Sequence, residues 1–195
     1  LSGAGGSDLL YGGVGNDLLH YEFSTRLMDG GDGIDTLSAE RVTSGPVNID
    51  LTEAKYADVE VVIGTTYGDV LSGTSWNEVL LGEDGNDNLQ GQGGNDTLIG
   101  GSGKDTLIGG EGSDLLYYDP DDLRGDVSGG SGTDTMSAAE LITPVTISLG
   151  DYLDIEGVTG TSFDDSLTGD EINNVLSGGD GNDTLDGGVG QDILD

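Results

Sequence analysis

A nonapeptide recurs along this 195-residue chain in a register that leaves few folds open. From Gly64 to Tyr117 it runs as six uninterrupted copies: GTTYGDVLS, GTSWNEVLL, GEDGNDNLQ, GQGGNDTLI, GGSGKDTLI and GGEGSDLLY. Two copies open the chain between Gly3 and His20, single copies stand at 30–38 and 129–137, and four close it from Gly160 to Asp195. The fourteen copies cover 126 residues. Position one is Gly in all fourteen, and position eight is Leu in thirteen with Met136 in the other. Position six is Asp in twelve, with Glu78 and Asn174 as the exceptions. Self-similarity at a fixed short period is the signature of a repeat architecture.

Each column has a physical consequence. Gly at position one, usually at two and usually at four lets the backbone adopt positive φ and approach its neighbours closely. Asn, Asp or Ser at position five suits the same turn. The last three residues set one apolar side chain between two outward ones, a strand too short to stand alone. Its Leu must face a partner strand, so two successive nonapeptides form opposite sides of one 18-residue coil. The expectation is an all-β fold, a right-handed parallel β-roll or β-helix solenoid. Leu stacks in rows inside it, and the glycine turns stack in two columns along its edges. Coils lie ~4.8 Å apart, which sets Asp87 over Asp105 and Asp96 over Asp114. Like charges at that spacing repel by ~1 kcal/mol in water and by several times more at protein-like dielectric. A divalent cation between the coils reverses the sign. Carboxylates and turn carbonyls are the donor set of Ca2+, which takes 6–8 oxygens at about 2.3–2.6 Å, whereas Mg2+ demands a stricter octahedron.

Composition narrows the function. Asp and Glu number 38 against 5 Lys and Arg, for a formal charge of -33. Phosphate contacts need Lys and Arg, so this is no nucleic-acid binder, and an anionic membrane surface repels it. There is no Cys, which excludes disulfides and zinc–thiolate sites. No apolar run approaches the ~18 residues of a membrane span. The chain lacks an initiator Met and reads as part of a longer one. Leu, Ile, Val and Phe make up a quarter of the residues, enough for a thin core once the acid is neutralised. His20 is the single histidine, and no nucleophile stands with an oriented base, so no catalytic residue is assigned.

A longer period lies above the nonapeptide. GGDGIDTLSAE (30–40) matches GGSGTDTMSAAE (129–140), and VNIDL (47–51) matches VTISL (145–149). The chain therefore divides into two units that form one continuous solenoid. The first, 1–99, has nonapeptides at 3–20, 30–38 and 64–99 and an insert at 39–63. The second, 100–195, has them at 100–117, 129–137 and 160–195 and an insert at 138–159. The inserts read as longer strands that continue the solenoid without metal turns. Residues 21–29 keep the nine-residue frame, so the turn at Gly12 stacks on the turn at Gly30. Residues 118–128 are two longer, hold Pro120 and read as a bulged strand or loop. Tyr67, Trp76, Phe163 and Ile172 replace Gly at position four in the first two turns of a run. Such side chains cannot follow a tight glycine turn, so they are expected to pack over the solenoid and close a metal-free stretch.

The pattern G-G-x-G-x-D-x-U-x resembles the RTX (repeats-in-toxin) calcium-binding β-roll of secreted bacterial proteins. The resemblance implies several Ca2+ ions, each held between turns two nonapeptides apart by position-six carboxylates and backbone carbonyls. Carried onto this chain, it makes metal ligands of Asp17, Asp87, Asp96, Asp105, Asp114 and Asp183. Asp8, Asp35, Asp134 and Asp192 follow in turns with fewer well-formed neighbours. Gly85, Gly94, Gly103 and Gly112 contribute carbonyls, and Asp69 and Asp165 contribute more weakly. The resemblance further implies the type I secretion machinery as a partner, folding in external calcium, and an extracellular or cell-surface location. Two other roles stay open. One is a structural segment of an adhesin, surface layer or fibre, meeting neighbouring copies end to end or cell-surface polysaccharide. The other is an accessory module of a secreted hydrolase or polysaccharide-modifying enzyme.

Overall fold

The computed structural model describes residues 1–3, 5–122 and 126–195. It is a parallel β-solenoid whose strands are two to seven residues long. Ten of them stack in chain order as one sheet: Leu18–His20, Thr36–Ser38, Val61–Ile63, Val79–Leu81, Thr97–Ile99, Leu115–Tyr117, Thr135–Ser137, Gly157–Thr159, Val175–Ser177 and Ile193–Leu194. The strands between them form three shorter stacks and one two-strand pair, Asp84–Gly85 with Ser102–Gly103. The first joins Leu9–Val14, Leu27–Asp32 and Tyr56–Ala57. The second joins Asn48–Asp50, Val70–Ser72, Asn88–Gly93, Thr106–Gly112 and Val127–Gly132, and the third Thr146–Ser148, Ser166–Thr168 and Thr184–Asp186.

The register follows the repeat. Leu80 pairs with Leu98 and Leu98 with Leu116, each one coil of two nonapeptides apart. Gly13 pairs with Gly31, so the frame held through 21–29 does stack the Gly12 turn on the Gly30 turn. Leu116 pairs with Met136, so the two extra residues in 118–128 are absorbed without loss of register. The bulge expected there lies partly outside the described residues. Position eight faces inward: Leu19, Leu37, Leu71, Leu80, Leu89, Leu98, Leu107, Leu116 and Leu167 are fully buried. A row of Leu one coil apart removes apolar surface from water at about 1.5–3 kcal/mol per side chain. It also fixes the strand face, because a one-residue slip would turn the whole row outward.

The inserts are not the longer strands expected from their alternation. In each, a three-residue strand (Asn48–Asp50, Thr146–Ser148) pairs forward with Val70–Ser72 or Ser166–Thr168. The chain then returns to the preceding stack, with Tyr56 on Met28 and Leu153 on Ser128. One insert thus ends one stack and founds the next within a single enlarged coil. Turns at 51–55 and the 3-10 turn Leu149–Asp151 limit the strands to one inward side chain each, Ile49 and Ile147.

Glycine serves two different needs. At positions two and four it does hold positive φ, as at Gly101, Gly103, Gly110 and Gly112. A Cβ on Gly103 or Gly112 would overlap the carbonyl oxygen of Gly85 or Gly94 in the coil before. At position one no glycine of a complete nonapeptide has positive φ, which corrects the sequence reading. There the missing Cβ leaves room for the turn's own acid and for the next coil: a Cβ on Gly82 would overlap Asp87 and lie 2.5 Å from the Gly100 carbonyl oxygen. We expect Gly112→Ala to destabilise the calcium-loaded chain by about 3 kcal/mol or more, from left-handed strain and the clash together. Gly150→Ala is expected to cost less than about 1 kcal/mol, since the nearest atom there is 3.9 Å away and φ is not positive. Urea unfolding of the two variants checks the contrast; equal costs would contradict the stacking.

Candidate metal centre

The position-six acids form columns joined by a repeated bond. The backbone N–H of each acid donates to Oδ1 of the acid one coil on: Asp17 to Asp35, Asp69 to Asp87, Asp87 to Asp105, Asp96 to Asp114, Asp114 to Asp134 and Asp165 to Asp183, at 2.6–2.8 Å. The expected pairings of Asp87 with Asp105 and of Asp96 with Asp114 are therefore present. Asp192 accepts from the N–H of Asn174. Asp8 has no acid above it, because Arg26 occupies that place and donates its N–H to the Asp8 carbonyl. An N–H···carboxylate bond is charge-assisted and offsets part of the cost of burying the charge.

That bond accounts for one carboxylate oxygen. The other, Oδ2, is buried and without a hydrogen-bond partner at Asp8, Asp35, Asp87, Asp96, Asp105, Asp114 and Asp134. An unpaired buried anionic oxygen is costly, and repeating it coil after coil requires a counter-charge. Among the described residues no three acidic or imidazole side chains converge on one point. A cation here would accordingly take one or two carboxylates and complete its shell with carbonyls, which suits the oxygen-rich, irregular coordination of calcium. The carbonyls of Gly85 and Gly94 point along the stack at the position-four glycines of the next coil. Asp17, Asp183 and Asp192 are half-buried, so water reaches their turns.

The turns with bulky residues at position four differ. Both carboxylate oxygens of Asp69 and Asp165 are already occupied, by donors from Thr65 and Val47 and from Thr161 and Val145. Their large side chains do not pack over the solenoid as expected: Trp76 is 76% exposed and Phe163 40%. The reason is positional. Tyr67, Trp76, Phe163 and Ile172 lie in the first two turns above an insert, and it is the coil above that meets their carbonyls, at Gly85, Gly94, Gly181 and Gly190.

Three acids outside the nonapeptides also join the columns. Glu60 accepts from the N–H of Asp35, Asp122 from that of Asp105, and Glu156 from that of Asp134, at 2.7–2.8 Å. Glu60 and Glu156 carried a signal that could have found them: each stands two residues before a buried Val and four before a position-one Gly, as a position-six acid does. Asp122 carried none, because residues 118–128 break the spacing. Outside the columns, His20 lies with Arg41, Phe23 and Glu22 in a cavity of about 480 Å³, and burial lowers its pKa.

The chain matches the family model of the RTX calcium-binding nonapeptide repeat (4 copies) over residues 1–22, 81–116 and 159–194. Both inserts lie almost wholly outside those spans. No curated protein matches the chain.

The buried column has a pH signature. Burial, with neighbouring carboxylates adding to it, pushes Asp87, Asp96 and Asp122 up to about 7 and Asp134 up to about 6. Burial also raises Asp105 and Asp114. In the cation-free chain these groups bind protons more tightly folded than unfolded. Their contribution to stability is complete below the unfolded value near 4 and is lost as pH rises through about 6–7. We expect circular dichroism in EDTA to show more β structure at pH 5 than at pH 8. A flat or opposite profile would contradict the buried column.

Proposed function

Because this chain belongs to the RTX family, whose nonapeptide repeats bind calcium, we propose that it is a calcium-triggered folding module of a secreted bacterial protein. It passes the type I secretion machinery unfolded and folds around Ca2+ outside the cell. The observation that carries this reading is the set of buried Oδ2 oxygens without partners. Asp35, Asp87, Asp96, Asp105, Asp114 and Asp134 hold the ions from the centres of the stacks, and Asp8, Asp17, Asp183 and Asp192 from turns nearer the ends. The position-four carbonyls of Gly85, Gly94, Gly103 and Gly112 complete the shells. A bound ion neutralises the column and stabilises only the folded state, so ion binding and folding are one equilibrium. No turn forms a site alone, which makes that equilibrium cooperative along the stack.

Units 1–99 and 100–195 are, in this reading, two copies of one folding element. Their inserts support it by making equivalent bonds: Val47 and Val145 donate to Asp69 and Asp165, and Glu60 and Glu156 accept from Asp35 and Asp134.

A calcium titration followed by circular dichroism tests the function. EDTA should leave most of the chain without β signal at neutral pH. Ca2+ should restore the signal cooperatively, and Mg2+ at equal concentration should not. Asp105→Asn keeps an acceptor for the Asp87 N–H but removes the anionic Oδ2. It should raise the midpoint calcium concentration roughly 10-fold and reduce cooperativity. Glu171→Gln, the same charge change at an exposed position, should leave the midpoint within about 2-fold. Equal shifts in both variants would assign the response to bulk charge and overturn the ligand assignment.

A further inference from the structure

The four turns that follow the inserts are closed by protein donors at the place where most glycine turns carry a buried unpartnered oxygen. In Gly64–Asp69, the N–H of Thr65 donates to Asp69 Oδ2 at 2.6 Å and its hydroxyl to Oδ1 at 3.1 Å. In Gly73–Glu78, the N–H and hydroxyl of Thr74 donate to Oε2 and Oε1 of Glu78 at 3.0 and 2.5 Å. In Gly160–Asp165, Thr161 donates from its N–H to Asp165 Oδ2 at 2.5 Å and from its hydroxyl to Oδ1 at 3.0 Å. The fourth turn replaces the acid altogether: the N–H of Asp170 donates to Oδ1 of the neutral Asn174 at 2.8 Å.

The backbone agrees. Thr65, Thr74, Thr161 and Asp170 stand at position two, where Gly101, Gly110, Gly130 and Gly179 of the glycine turns have positive φ. None of the four has positive φ. Their side chains also accept the N–H of position four, from Tyr67, Trp76, Phe163 and Ile172 at 2.9–3.1 Å. The N–H groups and carboxylate are therefore satisfied within the turn, and no buried orphan oxygen is left at Asp69, Glu78 or Asp165.

We propose that these are cation-free starter turns: hydrogen-bond donors of the position-two residue satisfy the group that a calcium ion neutralises elsewhere, so the coils directly above each insert fold without metal. The inference rests on the calcium reading of the glycine turns. Each starter pair stands directly on an insert, whose Val47 or Val145 N–H donates to Asp69 or Asp165. Insert and starter coils together give the first glycine turn a preformed surface to stack on. In a solenoid, where each coil contacts its neighbours, growth from such a surface avoids the cost of forming the first coil anew. The chain holds two starters, at Gly64–Leu81 and Gly160–Ser177, one above each insert.

Hydrogen exchange of the full chain tests this, with and without calcium. In EDTA, backbone amides of Val70–Ser72 and Ser166–Thr168 should exchange at least 10-fold more slowly than those of Thr106–Gly112. Calcium should then protect all three. Equal, fast exchange in EDTA, with protection of Thr106–Gly112 on adding calcium, overturns the starter role and leaves the calcium reading standing. Calcium-insensitive exchange throughout overturns both. The double variant Thr161→Gly/Phe163→Gly restores a glycine turn. It should bind about one more Ca2+ per chain by native mass spectrometry, and Ser166–Thr168 should lose its protection in EDTA. Unchanged stoichiometry in a variant that folds with calcium would overturn the substitution of donors for the ion.

Discussion

A carboxylate repeated at the spacing of stacked coils is the constraint on which the structure depends. The hydrophobic rows alone would be satisfied by many sequences with a neutral residue at position six. This chain instead buries an acid there in coil after coil, ties one oxygen to the N–H of the coil below, and leaves the other bare in its glycine turns. The tie sets the acid's orientation and the register between coils. The bare oxygen makes that register unstable until something positive arrives. Fold and cation requirement are therefore the same feature seen from two sides, since the bond that orders the turn is also what aligns the charges.

The glycines follow from that arrangement. Position one is empty so that the turn's own acid can lie against the backbone, and positions two and four are empty so that the next coil can approach. At position four the coils meet carbonyl against Cα, while side chains at positions five and six bridge them by accepting backbone N–H groups. This explains why a bulky residue is admitted at position four in the two turns above each insert. Trp76 and Phe163 have no glycine turn stacked beneath them, and their side chains stand out into solvent.

The inserts punctuate the charge as well as the chain. Glu60 and Glu156 receive the last N–H of the column below, and a threonine turn opens the stack above. The column of acids thus runs on through the insert, and above it protein donors take the place of the bare oxygen. The threonine turns give a long solenoid interior points at which it is locally complete.

Much of this was legible in the residues. Period nine with one inward Leu per copy determines parallel coils of two nonapeptides, because no other arrangement buries every Leu while keeping each glycine turn at an edge. The position-six register likewise identified the acids that stack, down to Asp87 on Asp105 and Asp96 on Asp114, since periodicity alone places them. Three things were decided only by tertiary structure. The inserts lack the period, so nothing in their alternation says that one segment pairs forward and the next pairs back. Asp122 enters its column because the enlarged coil brings it there, whereas Glu60 and Glu156 keep a position-six spacing to the buried Val and the Gly that follow. The role of Thr65, Thr74 and Thr161 depends on where a hydroxyl and an N–H point relative to a carboxylate four residues on. That is a matter of backbone φ in the folded turn, and a sequence column showing Thr in place of Gly does not specify it.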